Sequence, residues 1–576
     1  MICYNYASAS GVRFNSANSS CNVAFLIEIG LFVLRKTDIN GKLVQFAWWA
    51  LATIVFTLVV AIRFRLLGIP LERDEGEYAY AGQLILQGIP PYKLAYNMKF
   101  PGTYAAYAVI MSIFGQTIHA IHLGLLLVNV ATIALIFLVG RRLVNTMAGV
   151  TAAASYAVLS VSPSVLGLAA HATNFVVLPV LGGILLLLKE QRVTASEPSQ
   201  PKQLVRLFAS GLLFGIGALM KQPGFLFILF GAIYIVWIDL NRRLPANRML
   251  LRILIFVTGA VVPLGVTSLI LWHAGVLDKF WFWTIDYAWQ YGSLVPLSQA
   301  PQIFFRSANE VVLTGWPVWI LAGIGALTGL WDQRTRASIL FLIAFLFFSA
   351  LAVCPGFYFR THYFILVLPA VSLLAGAAIS KLTEILEGQL ILIRLVPLLL
   401  FAGALSVPIL LDKKIFFEVS PNHACGLIYP DNPFLESVRI GTYLREHTEP
   451  GDTIAVLGSE PEIYFYSRRH SATGYIYTYG LMESQKYAHQ MQQEMIREIE
   501  AARPKYLISV AMAYSWLRRS DSAEAIFNWA NEYMAQNYTA AGFVNIKPTE
   551  TDYFFGNVPQ SVETLKNYIL IYRRNL

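Results

Sequence analysis

The sequence predicts a polytopic α-helical membrane protein that carries a C-terminal α/β domain. Hydrophobic residues make up 56% of the 576 and charged residues only 13%, whereas a soluble protein carries roughly 25% charged residues. Apolar stretches long enough to cross a bilayer, ~20 residues each, recur up to residue 411. The charge is also split along the chain: residues 1–411 hold 27 basic and 15 acidic side chains, and 412–576 hold 16 and 19. The basic excess lies between apolar segments, as in the cytoplasmic loops of membrane proteins, so it reads as orientation and not as a nucleic-acid surface. Cys3, Cys21, Cys354 and Cys425 form neither a disulfide framework nor a metal-ligand spacing.

Residues 1–43 are Ser/Asn-rich at their start and show no cleavable signal peptide, so they read as a cytoplasmic N-terminal extension. Within them 25–34 is too short to span. The first span, 44–62, then acts as an uncleaved signal anchor. Further spans are expected at 118–140, 146–163, 173–188, 205–220, 224–239, 252–273, 311–331, 337–353, 361–381 and 390–411, making eleven within a multispan domain, 44–411. The short apolar stretch 101–115 reads as a helix at the interface or entering part-way. With the N-terminus inside, the inner segments and their helix ends hold 18 Lys and Arg, and the outer loops before residue 412 hold nine. Counting 101–115 as a span would reverse that match. An odd span count places 412–576 outside the cell membrane as an extracytoplasmic domain. Its pattern alternates: helix 436–447, strand 453–458, helices 461–467 and 482–501, strand 505–510, helix 523–536 and strand 568–573. Alternation of this kind predicts a small α/β layer domain. Gly458 reads as an ordinary strand-to-helix turn.

The first outer loop, 63–101, concentrates Glu72, Asp74, Glu75 and Glu77 beside a membrane surface. A carboxylate there can act as general base, metal ligand or electrostatic anchor. Asp74 and Glu77 also have the spacing of a capping box that would begin a helix at Glu75, and one residue can serve as both cap and base. Lys99 precedes the short apolar stretch, Lys221 ends a span, and Arg360, His362 and Tyr363 open another. These cations fall on the predicted side of Asp74, where an anionic phosphate would attract them; each also reads as a residue snorkelling to lipid headgroups. His119, His122 and His171 read as core or interface histidines.

The run R-D-E-G-E-Y (73–78), then K-F-P-G (99–102), the short apolar helix and G-R-R-L (140–143) resemble the dolichyl-phosphate-mannose–protein mannosyltransferase superfamily. The bacterial branch, with the lipid A aminoarabinose transferases and related GT-C membrane glycosyltransferases, is the more similar. The resemblance covers residues 1–410. It implies a GT-C-like fold of about eleven spans plus an interfacial helix, and an inverting enzyme that moves a sugar from a polyprenyl-phosphate donor to an envelope acceptor, whether lipid, glycan or protein. Asp74 then matches the acid that deprotonates the acceptor and Glu75 its neighbour. Lys99 matches the lysine of the family's K-P-P-G element, and Arg360 the late arginine near the lipid phosphate. Phe100 replaces the element's first proline. Asn97-Met98 stands where aminoarabinose transferases carry an acid, which leaves the sugar open. No cofactor is required in this reading and no metal is assigned, although Asp74, Glu75 and Glu77 could hold a divalent ion. The rival classes are a flippase or transporter of lipid-linked sugars, which usually carries mid-span acids and paired repeats, and a polymerase, whose key residues would sit on a long late loop such as 274–310.

Overall fold

The computed structural model describes residues 19–190, 201–547, 550–556, 558 and 566–575, with side chains described from residue 41 onward. Residues 1–18 of the expected extension, and 191–200 of an expected inner loop, lie outside the described residues. The first span sits on a helix that runs without a break over Ser19–Arg65, so the stretch 25–34 is helical and continuous with it. Among the described residues eight helices are long and apolar enough to cross a membrane, or nine if a bent pair counts as one span. The chain is a multi-pass membrane protein.

Every expected span falls on a helix, but two boundaries move. The expected span 311–331 is broken: Ala300–Thr314 and Trp316–Trp331 meet at 100°. Gly315 stands at the break, and Pro317, in the first turn of the second helix, has no N–H to continue the first helix's bonding. The expected span 361–381 begins only at Leu368, because Thr361–Leu366 winds as a tighter 3₁₀ segment. Gly102–Phe114 is 13 residues long, roughly 20 Å at 1.5 Å per residue, and is too short to cross.

The C-terminal domain holds one six-stranded mixed sheet. Its strands are β1 (Thr453–Leu457), β2 (His470–Ser471), β3 (Tyr506–Ala511), β4 (Tyr538–Ile546), β5 (Thr551–Phe555) and β6 (Tyr568–Arg574), in the order β2-β1-β3-β6-β4-β5. β1 runs parallel to β2 and β3, whereas β6 is antiparallel to both β3 and β4. The helices and strands expected from residue 436 onward are present, with the long helix shortened to Ala488–Ala502. β2, β4 and β5 were not expected.

Two contacts seat this domain on the first inter-span loop. The Leu71 amide donates to the Tyr466 hydroxyl at 2.9 Å, and the Ser471 amide to the Tyr80 hydroxyl at 2.8 Å. Between them helix Arg73–Leu86 approaches helix Glu462–Ser467 so closely that a Cβ on Gly76 would lie 2.6 Å from the Glu462 nitrogen. Only glycine fits there without moving one of the helices. Gly76→Ala is therefore expected to cost about 1–3 kcal/mol, as overpacking does, and to lower the thermal unfolding midpoint in detergent. An unchanged midpoint would show that this contact is loose.

Candidate active site

Helix Arg73–Leu86 begins with a reciprocal cap. The Glu72 carboxylate accepts from the Glu75 amide at 3.0 Å, and Glu75 Oε2 accepts from the Glu72 amide at 3.3 Å. The capping box is thus Glu72/Glu75, two residues earlier than the Asp74/Glu77 pair expected from spacing. The shift frees Asp74 from capping and points successive side chains of the first turn in different directions. Arg73 turns to the C-terminal domain, donating to the Ser459 carbonyl at 2.5 Å and pairing with Glu460 at 3.3 Å. Glu75 turns into the protein, where its Oε1 accepts from the Ala170 amide at 2.6 Å and from His122 at 3.0 Å. Glu75 does not line the cavity described below, so the geometry makes it an anchor of the loop and gives it no reach to a substrate.

Asp74 faces a cavity of about 660 Å³ that Lys99, His171, Lys221, Arg360 and Tyr363 also line. Lys99 Nζ donates to Asp74 Oδ1 at 2.8 Å and to Glu77 Oε2 at 2.6 Å. Its charge is therefore already shared between two carboxylates. Lys99, expected to grip phosphate, first of all positions Asp74. The Tyr477 hydroxyl, from the C-terminal domain, adds a longer bond to Asp74 Oδ1 at 3.4 Å. Burial by itself would push the Asp74 carboxyl up, but the charge of Lys99 and its hydrogen bond, with Lys221 adding to them, hold it well below the usual carboxylate range. Asp74 is ionised at neutral pH.

Lys221 and Arg360 are committed differently. Neither has a carboxylate within ion-pair distance among the described residues. Lys221 Nζ sits 3.8 Å above the Tyr363 ring. Arg360 is walled round by protein, yet its side chain stays exposed to the open cavity, with its guanidinium 5.9 Å from the Tyr358 ring. These are the cations that an incoming anion meets.

His171 and His362 stack face to face, with centroids 4.0 Å apart and planes within 9°. Burial pushes His171 down to about 4 and His362 well below its ordinary value, with neighbouring cations adding to the effect on both. Both imidazoles are neutral, and neither ring nitrogen of His171 has a hydrogen-bond partner. Ligand atoms of Asp74, His171 and His362 lie within 4.8 Å of one another. A metal, if held, would sit on this set and not on the Asp74, Glu75 and Glu77 grouping, since Glu75 and Glu77 are taken up by His122 and Lys99. His171 was read as a core histidine; its place at the start of helix Ala172–Lys189, beside the cavity, follows from a chain reversal that spacing does not reveal. Tyr477 was missed because it lies in the C-terminal domain, far from the acidic loop in sequence.

No curated protein matches the chain in sequence. Residues 99–272 match the family model described as dolichyl-phosphate-mannose-protein mannosyltransferase. The structure is similar to that of ArnT from Cupriavidus metallidurans bound to undecaprenyl phosphate, with a TM-score of 0.53 at 13% identity over 91% of this chain and 98% of that one. The chain has the GT-C fold. The same GT-C fold relates it to the oligosaccharyltransferase AglB from Archaeoglobus fulgidus. One AglB structure, in complex with an inhibitory peptide and a dolichol-phosphate, matches with a TM-score of 0.50 at 12% identity, over 90% of this chain and 75% of that one. Another, in complex with Zn and sulfate, matches with a TM-score of 0.50 at 14% identity, over 87% and 72%. The resemblance seen in the acidic loop and the K-F-P-G element thus coincides with the architecture of the whole GT-C chain.

The site contains its own titration test. Burial lowers the Lys221 amine to about 7, with Asp74 opposing and Lys99 and Arg360 reinforcing the fall, whereas two carboxylates outweigh burial and hold Lys99 well above its usual range. A lowered pKa means that Lys221 is the free base above pH 7 and charged below it. Acetic anhydride labelling read by mass spectrometry should therefore modify Lys221 with a midpoint near 7, while Lys99 stays protected at that pH. Labelling of Lys221 only at pH 10 and above would place it in a more solvated setting.

Proposed function

We propose that the protein is an inverting glycosyltransferase which moves a sugar from a polyprenyl-phosphate donor to an acceptor hydroxyl of the cell envelope, at the outer face of the cytoplasmic membrane. The observation that carries this reading is a single cavity in which an ionised carboxylate, Asp74, faces two cations free of carboxylate partners, Lys221 and Arg360. Lys221 lies in the break between two apolar helices, Pro201–Met220 and Gln222–Asn241, so a phosphate on a lipid reaches it without leaving the membrane. The family match, and the polyprenyl phosphates bound by ArnT and AglB, support the same donor class. In this reading the C-terminal domain is extracytoplasmic and roofs the site.

The chemistry follows from the charges. The acceptor oxygen attacks the anomeric carbon from the face opposite the phosphate, and its proton passes to Asp74. The bond from the anomeric carbon to the phosphate oxygen breaks, its electron pair stays on that oxygen, and Arg360 and Lys221 stabilise the charge that develops. Attack opposite the leaving group inverts the anomeric centre. In the resting site Lys99 keeps Asp74 a weak base. The donor is a phosphodiester with a single negative charge; beside Lys221 and Arg360 it offsets part of the positive field, so the proton affinity of Asp74 rises when donor is bound.

Because Glu72 and not Asp74 caps the helix, Asp74→Asn leaves the cap intact and can still accept from Lys99. The variant should fold and bind donor lipid, while release of polyprenyl phosphate from donor in membranes falls by about 10²–10⁴-fold, the usual loss of a positioned general base. Transfer within a few-fold of wild type would remove Asp74 from that role.

A second reading concerns the stacked histidines. Two neutral imidazoles and an ionised carboxylate are a suitable donor set for a divalent metal, and the unpartnered nitrogens of His171 favour it. A metal there would add positive charge beside the leaving phosphate. The transfer described above uses Lys221 and Arg360 for that purpose, so enzyme stripped with EDTA should keep its rate. A loss restored by added zinc or manganese would assign the ion to Asp74, His171 and His362.

A further inference from the structure

The cavity extends beyond Arg360 into a lobe that the transfer steps above do not use. Three segments distant in sequence build it: the loop after helix Ala246–His273, the segment before helix Leu368–Ile385, and residues 479–483 of the C-terminal domain. Its wall is phenolic. Tyr291 and Tyr358 stack with centroids 4.4 Å apart and planes within 13°, and Tyr358 is also the ring beside Arg360. At the far end the Tyr287 hydroxyl donates to Glu483 Oε2 at 2.8 Å. Tyr287 and Glu483 are both buried, at 5% and 9% exposure, and Glu483 makes no other side-chain hydrogen bond among the described residues.

The backbone is distorted where it presents these groups. Phe282–Tyr287 winds as a π-helix, a form that recurs at functional sites and here delivers Tyr287 to the cavity wall. Next to Tyr358, the backbone of Gly356, Phe357 and Phe359 takes φ of 73°, 55° and 43°. Two bulky residues in the left-handed region are outliers that persist where the surrounding structure holds them, and such residues gather at ligand sites. Gly480 completes the lobe: a Cβ there would lie 2.7 Å from the Tyr287 hydroxyl. Any larger residue would push Tyr287 off Glu483.

We propose that this lobe is the subsite for the donor's sugar, that it takes a sugar ring without a carboxylate, and that Glu483 is the residue which reads its hydroxyls. The inference rests on the donor reading above. With the lipid phosphate on Arg360 and Lys221, the sugar it carries extends along the Tyr291–Tyr358 wall, whose apolar faces suit the C–H face of a sugar ring. Glu483 Oε1 lies at the end of that wall as an acceptor for a sugar hydroxyl, and Tyr287 fixes the carboxyl in place. A uronic acid would bring a second carboxylate to Glu483 and be repelled.

The test is equilibrium binding to the full chain in nanodiscs. The probes are undecaprenyl phosphate, a panel of its mannosyl, glucosyl, galactosyl and arabinosyl esters, and a glucuronosyl ester. Wild type should bind at least one neutral glycosyl lipid about tenfold or more tightly than undecaprenyl phosphate, the gain expected from a hydrogen bond to a carboxylate. In Glu483→Ala that gain should shrink to within about threefold, with undecaprenyl phosphate bound as before. Glu483→Gln, which keeps the acceptor for Tyr287, should lose part of the gain at an unchanged thermal midpoint, and it decides the matter if the alanine variant is unstable. A gain that persists in both variants overturns the subsite, as does a panel in which no neutral ester binds more tightly than bare lipid. Preference for the glucuronosyl ester overturns the exclusion of acidic sugars. Failure of wild type to bind undecaprenyl phosphate at all would instead strike the donor reading, and the two failures are thus distinguishable.

Discussion

Lys99 is one cation held between two carboxylates, Asp74 and Glu77, and the site depends on that sharing. Glu77 is fully buried, and burial pushes its carboxyl up despite Lys99. Its other contacts, the Asn97 amide at 2.7 Å and the Tyr104 hydroxyl, tie it to the loop and to helix Gly102–Phe114. Glu77 thereby fixes the ammonium, and the ammonium fixes Asp74. A carboxylate on a loop is otherwise free to turn toward solvent, where it would lose the low-dielectric setting that makes one charge effective on another. Breaking a buried pair of this kind is costly because it strands a charge, which is why the loop holds a single geometry.

The C-terminal domain supplies the other half of that constraint. The loop at the carboxyl end of β1, Gly458 to Glu460, receives Arg73, the residue immediately before Asp74. Carboxyl ends of parallel strands are the usual place for α/β domains to meet ligands; here the same edge meets the helix that carries Asp74. Tyr477 and Glu483 then close the cavity from above. The domain is therefore part of the site's wall as well as its roof, and a fault in its seating, as at Gly76, reaches Asp74 through one residue.

What could be read from the sequence follows the physics of each signal. Apolar length reports burial in lipid directly, so all the expected spans lie on helices. Span ends were less legible, because Gly315-Trp316-Pro317 and the 3₁₀ segment before Leu368 redirect the chain without changing its hydropathy. The acidic loop stood out in the sequence because charge beside a membrane is rare, and the structure places Asp74 on a cavity, but its capping register was not legible: Glu72/Glu75 and Asp74/Glu77 have the same spacing, and only packing chooses between them. β4 was missed since its start, Tyr538 to Gly542, lacks a run of β-branched residues, and its pairing with β6 is settled by long-range contacts. The tyrosines of the second lobe come from three segments that only the folded chain brings together.

The opposite end of the bundle shows what distinguishes the site from a structural charge cluster. There Arg252 pairs with Asp239 at 3.0 Å and with Glu190 at 3.4 Å, and Arg206 lies 3.5 Å from Glu190. Acids and bases are matched, and the network ties together the ends of four helices. In the cavity the pairing differs: Lys99 is shared by two acids, while Lys221 and Arg360 have no carboxylate within ion-pair distance among the described residues. Buried charge is costly unless it is paired, so two such cations beside one cavity favour an anionic ligand, and the proposed donor would supply it as a phosphate. Burial, reinforced by Lys99 and Arg360, is what lowers Lys221 to about 7, where an anion in the cavity would favour its charged form.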